Sequence, residues 1–592
     1  MPRKRGAAPI ACNPPETAPL KKRTAWILAG GVAAIALGAA FMGALALALR
    51  GTARPLAAWG NDSYLAITVN GDIPEAPGSD LDSLFSTRPP SLRALVESLD
   101  RASTDPQIKG VLLQVGSFEG GWGKVQELRD AIASFRKSGK PAYAHLEAAG
   151  NREYYLATAC SRIYAVPQAL LFVTGLSAEV TFFRQTLDKL GIQAQFEGVG
   201  KYKNAPNQFT EDRFTAPHRE QMEALLDSLY GQYVSAIVAS RQKTKAEARA
   251  LLDRGPYDGT SALAAGLVDE LLYRDELEGR LKARERVTPG RYVKSKRGFG
   301  FDGRPKVALV YAIGEIVSGD SQTDAFGGET AGSTTLARAI REARNDTDVR
   351  AIVLRVDSPG GSGTASEVIW RELSLARKSK PVVVSMGDTA ASGGYYISIP
   401  ADAIVAEPAS VTGSIGVFSG KMSLRGLYDK IGLTKEIVER GRNASIFSDY
   451  RPWTAEERQQ IRALMVAFYE DFVGKAAKGR GKTRDEIDAV AQGRVWTGED
   501  ALKVGLVDRL GGLETALAVV REKAKLAPDQ ELNVVVLPER KGFLETIMER
   551  QEEGASASLR LWPAEARAAV RWAAILGGGG PLARLPFDLR VH

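Results

Sequence analysis

The sequence contains one pattern twice, at positions about 240 residues apart. The segment DPQIKGVLLQV, residues 105–115, matches DTDVRAIVLRV, residues 346–356. The segment GTSALAAGLVDEL, residues 259–271, matches TGEDALKVGLVDRL, residues 497–510, at nearly the same spacing. Repetition on this scale constrains the fold strongly, because each copy has to form a similar folded unit.

The length of the chain agrees with this division. At 592 residues it is too long for a single hydrophobic core. We predict a first repeat over residues 62–290 and a second over residues 303–535, joined by a polar, basic linker. A C-terminal extension over residues 536–592 has no counterpart in either repeat.

Strand-like and helix-like segments alternate within each repeat. In the second, KVALVYAI (306–313), RAIVLRV (350–356) and KPVVVSM (380–386) predict strands, because they are short and rich in β-branched residues. STTLARAIREARN (333–345) predicts a helix capped by Ser333 or Thr334, and ASEVIWRELSLARK (365–378) predicts another helix. This alternation indicates an α/β fold with parallel strands and helical crossovers.

Two loops of small residues follow predicted strands of the second repeat. They are VDSPGG, residues 356–361, and AASGG, residues 390–394. The carboxyl ends of parallel strands carry the ligand site in such sheets. Glycines there leave backbone N–H groups free to bind an oxyanion, so Ser392 is a candidate nucleophile for acyl transfer. The alternative is that Ser392 is only a helix cap in a closely packed turn.

Comparison of the two repeats separates the candidate catalytic groups. Asn151 lies opposite Ser392, so the first repeat has no such hydroxyl, and Arg442 lies opposite Lys203, so the second has no such amine. Arginine stays protonated, whereas a desolvated lysine loses its proton and can act as a base. We therefore predict that Lys203 activates Ser392 without a histidine. The alternative is that Lys203 is an ordinary surface lysine.

The N-terminal region predicts a membrane anchor. Residues 25–49 contain no charge and are long enough for a helix that crosses a bilayer. A cleaved signal peptide is the alternative, but its apolar core is usually shorter. The basic tail, residues 1–24, precedes this span and places the N-terminus in the cytoplasm and the repeats on the outer, periplasmic face. Much of the net charge of +8 lies in that tail, so nucleic-acid binding has little support.

The cysteines and histidines give no sign of a disulfide or a metal site. Cys12 precedes the predicted span and Cys160 follows it, so the membrane would separate the two thiols. His145, His218 and His592 are scattered without the spacing of metal ligands.

Taken together, the motifs resemble a known family. VDSPGGSGTASE, MGDTAASGGYYIS, SVTGSIGVF and GKYKNAPNQF, with the duplication and the anchor, resemble the long, two-repeat form of signal peptide peptidase A, a membrane-anchored serine protease of the S49 type. The resemblance covers about residues 62–535 and implies two domains similar to those of Clp protease and crotonase, preceded by one transmembrane helix.

The resemblance also implies roles for individual residues. Ser392 and Lys203 would form a Ser–Lys dyad, Gly361 and Gly393 would supply the oxyanion hole, and Ser414 would orient the lysine. It implies no cofactor and no metal, apolar peptides such as remnant signal peptides as substrates, and a homotetramer in the bacterial inner membrane. One departure is Asp357, where many relatives are expected to have asparagine.

Two other functions remain open from the residues alone. A crotonase-like acyl-thioester enzyme would use the same oxyanion donors, although coenzyme A is not expected outside the cytoplasm. A membrane scaffold without activity would be indifferent to replacement of Ser392. Cleavage of one dedicated membrane protein, rather than general clearance of peptides, is also compatible with the sequence.

Overall fold

The structure, a computed structural model, describes residues 62–76, 89–283, 285–296, 303–322, 328–538 and 582–585. All of them belong to one compact unit. The predicted anchor at residues 25–49 lies outside the described residues. Among the helices that are described, none is long and apolar enough to cross a membrane.

The first repeat follows the predicted order of strands and helices. Its elements are β1 Ser63–Gly71, α1 Leu92–Thr104, β2 Ile108–Phe118, α2 Trp122–Arg136, β3 Ala142–Ala149, α3 Asn151–Ala157, β4 Arg162–Leu171, α4 Arg184–Leu190, β5 Gln193–Val199, α5 Asn207–Thr210, α6 Ala216–Arg241, α7 Lys245–Arg254, β6 Tyr257–Asp258, α8 Gly259–Ala264, β7 Glu270–Leu271, α9 Arg274–Leu281, β8 Glu285–Val287 and α10 Pro289–Lys296.

The second repeat has a similar order, with additional short strands and with no described counterpart of β5, α5 or α10. Its elements are β9 Lys306–Ile313, β10 Glu315–Val317, β11 Thr330–Gly332, α11 Ser333–Asn345, β12 Val349–Ser358, β13 Gly360–Ser362, α12 Gly363–Ala376, β14 Val382–Ala391, α13 Gly393–Ser398, β15 Ala403–Ala406, β16 Val411–Gly413, β17 Val417–Ser423, α14 Arg425–Ile431, α15 Ala455–Arg480, α16 Arg484–Val490, β18 Val495–Thr497, α17 Gly498–Lys503, β19 Arg509–Leu510, α18 Leu513–Lys523 and β20 Asn533–Leu537. A last strand, β21 Leu582–Arg584, belongs to the C-terminal extension.

Each repeat is built on its own mostly parallel sheet. In the first, the strand order is β6-β4-β3-β2-β1-β8, with β7 beside β4. In the second it is β18-β16-β14-β12-β9-β20, with β15 on β14 and β19 on β15. The central strands β2 and β12 carry near-continuous buried runs, as expected for parallel strands that are covered on both faces. The predicted α/β class and tandem duplication are confirmed.

The helices cover these sheets with apolar faces at helical spacing. In α1 the residues Leu92, Leu95, Val96 and Leu99 are buried, a repeat of three and four positions that places them on one side. The side chain of Ser91 accepts a hydrogen bond from the N–H of Ala94 and caps this helix.

A third sheet crosses the boundary between the repeats. Its order among the described strands is β11-β10-β13-β21-β17-β5. The first repeat supplies β5, which pairs antiparallel with β17 of the second repeat from Gln193 opposite Ser423 to Val199 opposite Val417. Strand β5 of the first repeat is therefore part of a sheet formed mainly by the second repeat.

One predicted detail is wrong. Helix α11 begins at Ser333, but its cap residue is Gly332, and no side chain caps it. Gly332 is also the last residue of β11, so the chain passes directly from strand to helix. A Cβ atom at Gly332 would lie 2.2 Å from the backbone of Asp320 and Ser321, which leaves room for glycine alone.

Candidate active site

Ser392 stands between the end of β14 and the start of α13, as predicted. It is buried and adopts φ 56° and ψ −110°, a conformation that non-glycine residues rarely adopt. Its N–H donates to the carbonyl of Gly413 at 2.8 Å, and its own carbonyl accepts from Tyr396 N–H at 2.8 Å. Backbone strain of this kind persists where the surroundings enforce it, and it points the Ser392 side chain in a fixed direction.

The glycines after Ser392 are required by close packing. A Cβ atom at Gly394 would lie 2.8 Å from the carbonyl oxygen of Ser358, and one at Gly393 would lie 2.8 Å from Ser366 Oγ. Both contacts are with the second repeat's own loop and helix. The small residues of this turn therefore let α13 begin directly against the end of β12.

Lys203 reaches the same place from the first repeat. It follows β5 in a loop that lies on residues 492–493 of the second repeat, where Tyr202 N–H donates to the carbonyl of Gln492 at 2.8 Å. A Cβ atom at Gly493 would lie 2.5 Å from the Lys203 backbone nitrogen. The side chain of Lys203 is buried, which excludes the alternative of a surface lysine.

The amine and the hydroxyl are in hydrogen-bonding contact. Lys203 Nζ lies 2.8 Å from Ser392 Oγ, 2.9 Å from Ser414 Oγ and 3.2 Å from the carbonyl oxygen of Ser414. Burial lowers the pKa of Lys203 well below its usual value, and burial is the only cause of that shift. A largely neutral amine beside a serine hydroxyl can take its proton.

Ser414 is held rigidly beside the amine. It lies between β16 and β17 with φ 52°, and its N–H donates to the carbonyl of Arg494 at 2.7 Å. Two acceptors on one residue, the hydroxyl and the carbonyl, are therefore directed at Lys203 Nζ. They fix the position of the amine relative to Ser392.

The two loops of small residues meet at Gly360 and Gly393. A Cβ atom at Gly360 would lie 2.7 Å from Gly393 N, and one at Gly393 would lie 3.1 Å from Gly360 Cα. Gly361 follows on the strand β13, which pairs with Ile316 of β10. The contact to Gly393 thus comes from Gly360, and Gly361 lies one residue further along the same strand.

Asp357, the departure noted in the sequence, is matched by a charge from the first repeat. Lys124 Nζ lies 3.4 Å from Asp357 Oδ2, and Thr389 N–H donates to Asp357 Oδ1 at 3.0 Å. Burial raises the pKa of Asp357 to about 7, Lys124 opposes that shift, and Asp388 and Glu75 add to it. The charge of the Asp357 carboxylate, just before residues 358–361, is therefore partly offset by Lys124.

The repeats also cap each other's helices near the site. Helix α2 has no side-chain cap of its own, and Asp388 of the second repeat accepts from Gly121 N–H and Lys124 N–H, both at 2.7 Å. In return Glu127 of α2 accepts from Leu513 N–H at 2.7 Å, at the start of α18. Each repeat thus satisfies backbone donors that the other leaves open.

A buried ion triad reinforces this contact. Arg355 of β12 pairs with Glu75 at 2.9 Å and with Glu127 at 2.7 Å, and all three side chains are buried. Removing Arg355 would leave two buried carboxylates without their cationic partner. The relative position of the two repeats, on which the Lys203–Ser392 contact depends, is therefore strongly determined.

The corresponding place in the first repeat has no equivalent chemistry. Asn151 Nδ2 donates to the carbonyl of Gly175 at 2.7 Å, and Asn151 Oδ1 accepts from Thr174 N–H at 3.1 Å, so the amide is engaged by the backbone. Leu176 stands where Ser414 does, and Arg442 is exposed. Within the part of the chain that the structure describes, no cluster of residues could hold a metal ion.

Sequence reasoning missed the residues that hold the site together. Gly493 and Gly416 line Lys203, since a Cβ atom at Gly416 would lie 3.2 Å from Lys203 Cδ. Lys124 belongs to the first repeat and Asp388 to the second, so their contact is not visible in the sequence of either repeat alone. The duplication does not mark Gly493, because Arg254 lies at its position in the first repeat.

Known proteins are similar in sequence to this chain along most of its length. The pattern of peptidase family S49 matches twice, over residues 134–288 and 374–527. The chain is 35% identical to "Serine protease SPPA, chloroplastic" of Arabidopsis thaliana over 80% of its length and 71% of that protein. It is 35% identical to "Protease 4" of Salmonella typhi, over 74% of this chain and 72% of that one, and 30% identical to "Protease 4" of Haemophilus influenzae, over 87% and 84%.

These matches agree with the resemblance that the motifs indicate. Each repeat contains one match to the family pattern, and the relatives align with most of both repeats. The chain therefore belongs to peptidase family S49 and carries the domain of that family twice, as in the two-repeat form.

Proposed function

We propose that the chain is a serine endopeptidase with a Ser392–Lys203 dyad that degrades remnant signal peptides and other apolar peptide segments. The observation that carries this proposal is the 2.8 Å contact between Lys203 Nζ and Ser392 Oγ, made between two buried side chains of different repeats. Membership in a peptidase family supports hydrolysis of peptide bonds as the reaction.

The mechanism begins with the neutral amine. Its two N–H groups donate to the hydroxyl and the carbonyl of Ser414, which leaves the nitrogen lone pair directed at the Ser392 hydroxyl. Lys203 takes that proton as Ser392 Oγ attacks the carbonyl carbon of the substrate. The resulting ammonium then protonates the leaving amine, and a water molecule deprotonated by Lys203 hydrolyses the acyl ester.

Backbone donors stabilise the negative oxygen that forms during the attack. Gly393 N–H lies directly after the nucleophile, at the start of α13, where the helix dipole favours negative charge. Gly361 is the proposed second donor, in keeping with its place on the adjacent strand β13. Every group in this mechanism comes from the protein, so it requires neither a cofactor nor a metal.

The proposed location is the inner membrane of a bacterium, with the repeats on the periplasmic face. It rests on the uncharged stretch 25–49 and on the basic tail before it. The proposed substrates, apolar peptides left in or near the membrane, are those that an anchored peptidase would meet. The names of the relatives support peptides as the substrate class.

A homotetramer is proposed as the assembly. The segment 432–438 corresponds to β5, but in the described structure it pairs with no strand, and Ile437 and Val438 are 41% and 86% exposed. The segment 179–185, which corresponds to β17, likewise lacks such a partner strand. Pairing of one segment with the other on a neighbouring copy would be head-to-tail, and such contacts form a ring when the rotation between copies closes.

The test is hydrolysis of a fluorogenic apolar peptide by the purified full chain. Ser392→Ala and Lys203→Ala are both expected to lose activity by at least about a thousandfold, and Lys203→Arg should be equally inactive, because arginine cannot give up its proton. Lys201→Ala, which removes an exposed lysine two residues away, is the matched control and should retain activity.

The same assay separates the other two functions. An inactive scaffold would show no hydrolysis that depends on Ser392, and a crotonase-like enzyme would act on an acyl thioester rather than on the peptide. Activity that survives in both Ser392→Ala and Lys203→Ala would contradict the proposed dyad.

A further inference from the structure

A strand of the C-terminal extension lies beside the candidate nucleophile. Strand β21, Leu582–Arg584, is inserted between β13 of the oxyanion loop and β17. It runs antiparallel to β13, with Gly361 opposite Ala583 and Ser362 opposite Leu582. The N–H of Leu585 extends this pairing by donating to the carbonyl of Pro359 at 2.6 Å. An extended peptide added to a sheet in this way is a common mode of peptide recognition.

The side chain of Leu582 fills an apolar pocket on one side of the strand. It packs in a cluster with Ala205 and Phe209 of the first repeat and Phe418 of the second. Leu582 is 8% exposed, and the backbone of the same residue pairs with Phe418 of β17. Both repeats therefore contribute to its binding.

Leu585 fills a second apolar pocket. Its cluster contains Met222 and Leu225 of α6, together with Ala391 and Val411 of the second repeat. Ala391 is the residue before Ser392, so this pocket is continuous with the nucleophile's turn. The four residues 582–585 are all buried.

The carbonyl group of Ala583 faces the meeting point of the two glycine loops. A Cβ atom at Gly360 would lie 2.1 Å from Ala583 O, and one at Gly393 would lie 2.9 Å from it. That oxygen therefore packs against the residue that follows the nucleophile, where the oxygen of a scissile carbonyl would lie. In the first repeat, by contrast, the place around Asn151 is an open cavity of about 440 Å³.

We propose that residues 582–585 are a substrate of this same site, held in cis, and that the Ala583–Arg584 bond is the bond that is cleaved. The inference rests on the proposed function. It also assigns the substrate register: a small residue at the acyl position, leucine before it and leucine two positions after it. An uncut segment occupies the groove, so other peptides can enter only once it has left.

The cleavage follows the steps of ordinary peptide hydrolysis. Ser392 Oγ bonds to the carbonyl carbon of Ala583 and its proton passes to Lys203 Nζ. The carbon–nitrogen bond to Arg584 breaks, and the nitrogen takes the proton from Lys203. Water then attacks the ester, giving a carboxylate at Ala583 and restoring the Ser392 hydroxyl. The products are a chain that ends at Ala583 and a free peptide that begins at Arg584.

The experiment maps the C-terminus of the purified full chain by intact-mass and peptide mass spectrometry. Wild type is expected to end at Ala583, and Ser392→Ala to retain the residues that follow. Leu582→Asp should slow the cut by at least about tenfold, because a charge does not fit the pocket of Phe209 and Phe418. Leu464→Asp, at a position 62% exposed on α15, is the matched control and should be cut like wild type.

A mixing experiment tests whether the cut occurs in cis. Wild type is incubated with an excess of Ser392→Ala protein, whose tail should stay intact. In the Ser392→Ala protein alone, the backbone amides of residues 582–585 should exchange slowly with solvent deuterium, and faster in excess apolar peptide, which competes for the groove.

The outcomes separate this inference from the proposed function. Wild type that hydrolyses the added peptide but keeps the Ala583–Arg584 bond intact would overturn the inference alone. So would cutting of the Ser392→Ala tail in the mixture at the wild-type rate, or fast amide exchange at residues 582–585. If neither the tail nor the peptide is cut, the proposed function fails and the inference fails with it.

Discussion

Replacement of Gly493 by alanine tests how the second repeat positions the lysine of the first. A Cβ atom there would lie 2.5 Å from Lys203 N and 2.6 Å from both Lys203 Cα and Cβ. Carbon atoms normally approach to about 3.5 Å, so the loop that carries Lys203 has to move by about 1 Å. The obstacle is backbone, which cannot rotate aside as the end of a long side chain would.

The expected loss of activity follows from that displacement. The contact between Lys203 Nζ and Ser392 Oγ is 2.8 Å, and a misplacement of about 1 Å costs about a hundredfold in rate, or about 2.7 kcal/mol in the barrier. The fall should be in kcat rather than KM, because the proton transfer and not peptide binding is disturbed. Hydrolysis of the fluorogenic peptide measures both.

A control variant separates this effect from the cost of the backbone conformation. Gly493 has φ 78°, where alanine is strained by about 1–2 kcal/mol. Gly139 has φ 86°, and a Cβ atom there would meet nothing within 4 Å. Gly139→Ala should therefore lower stability to a similar extent and leave activity unchanged. A folded Gly493→Ala protein with kcat within about threefold of wild type would refute the reasoning.

Substitutions at three positions test separate parts of the structure. Lys203→Met should raise Tm at neutral pH, because burial lowers the pKa of the Lys203 amine and this lowering destabilises the folded state. The destabilisation is absent above about pH 10.5 and grows as the pH falls below that value. An unchanged Tm would contradict the lowered pKa of Lys203. Asp388→Ala should lower the free energy of unfolding, measured in urea, by about 1–2 kcal/mol, because it removes the cap of α2. Asp388→Asn should lower this free energy by a smaller amount. Arg442→Ala should leave hydrolysis within about twofold of wild type, because the side chain is exposed; a loss like that of Lys203→Ala would mean that the second repeat's position is functional.

Most of the framework could be predicted from the sequence, because local patterns carry it. The buried runs of β9, β12 and β14 and the apolar spacing of α11 and α12 are properties of short segments. Because the two repeats are similar in sequence, a fold predicted for one repeat applies to the other as well. Comparison of the repeats also singles out Ser392 and Lys203 as candidates, since it shows which copy lacks each group.

What the sequence did not predict depends on contacts between distant segments. Gly493 is needed only because the Lys203 loop lies on it, and Asp388 is a cap only because α2 of the other repeat begins there. Strand β21 is three residues long and forms only in the space between β13 and β17. No periodicity within these segments marks such roles.

The most direct test of the dyad is the pH dependence of Ser392 acylation, measured in a rapid-mixing experiment with an activated peptide ester at about pH 5 to 10. Lys203 accepts a proton only when it is neutral, and burial lowers its pKa well below 10.5. With Lys203 as the base, the rate should fall tenfold per pH unit below that lowered pKa and be constant above it, and Lys203→Arg should show no measurable acylation. A rate that keeps rising up to pH 10, or substantial acylation in Lys203→Arg, would contradict Lys203 as the base.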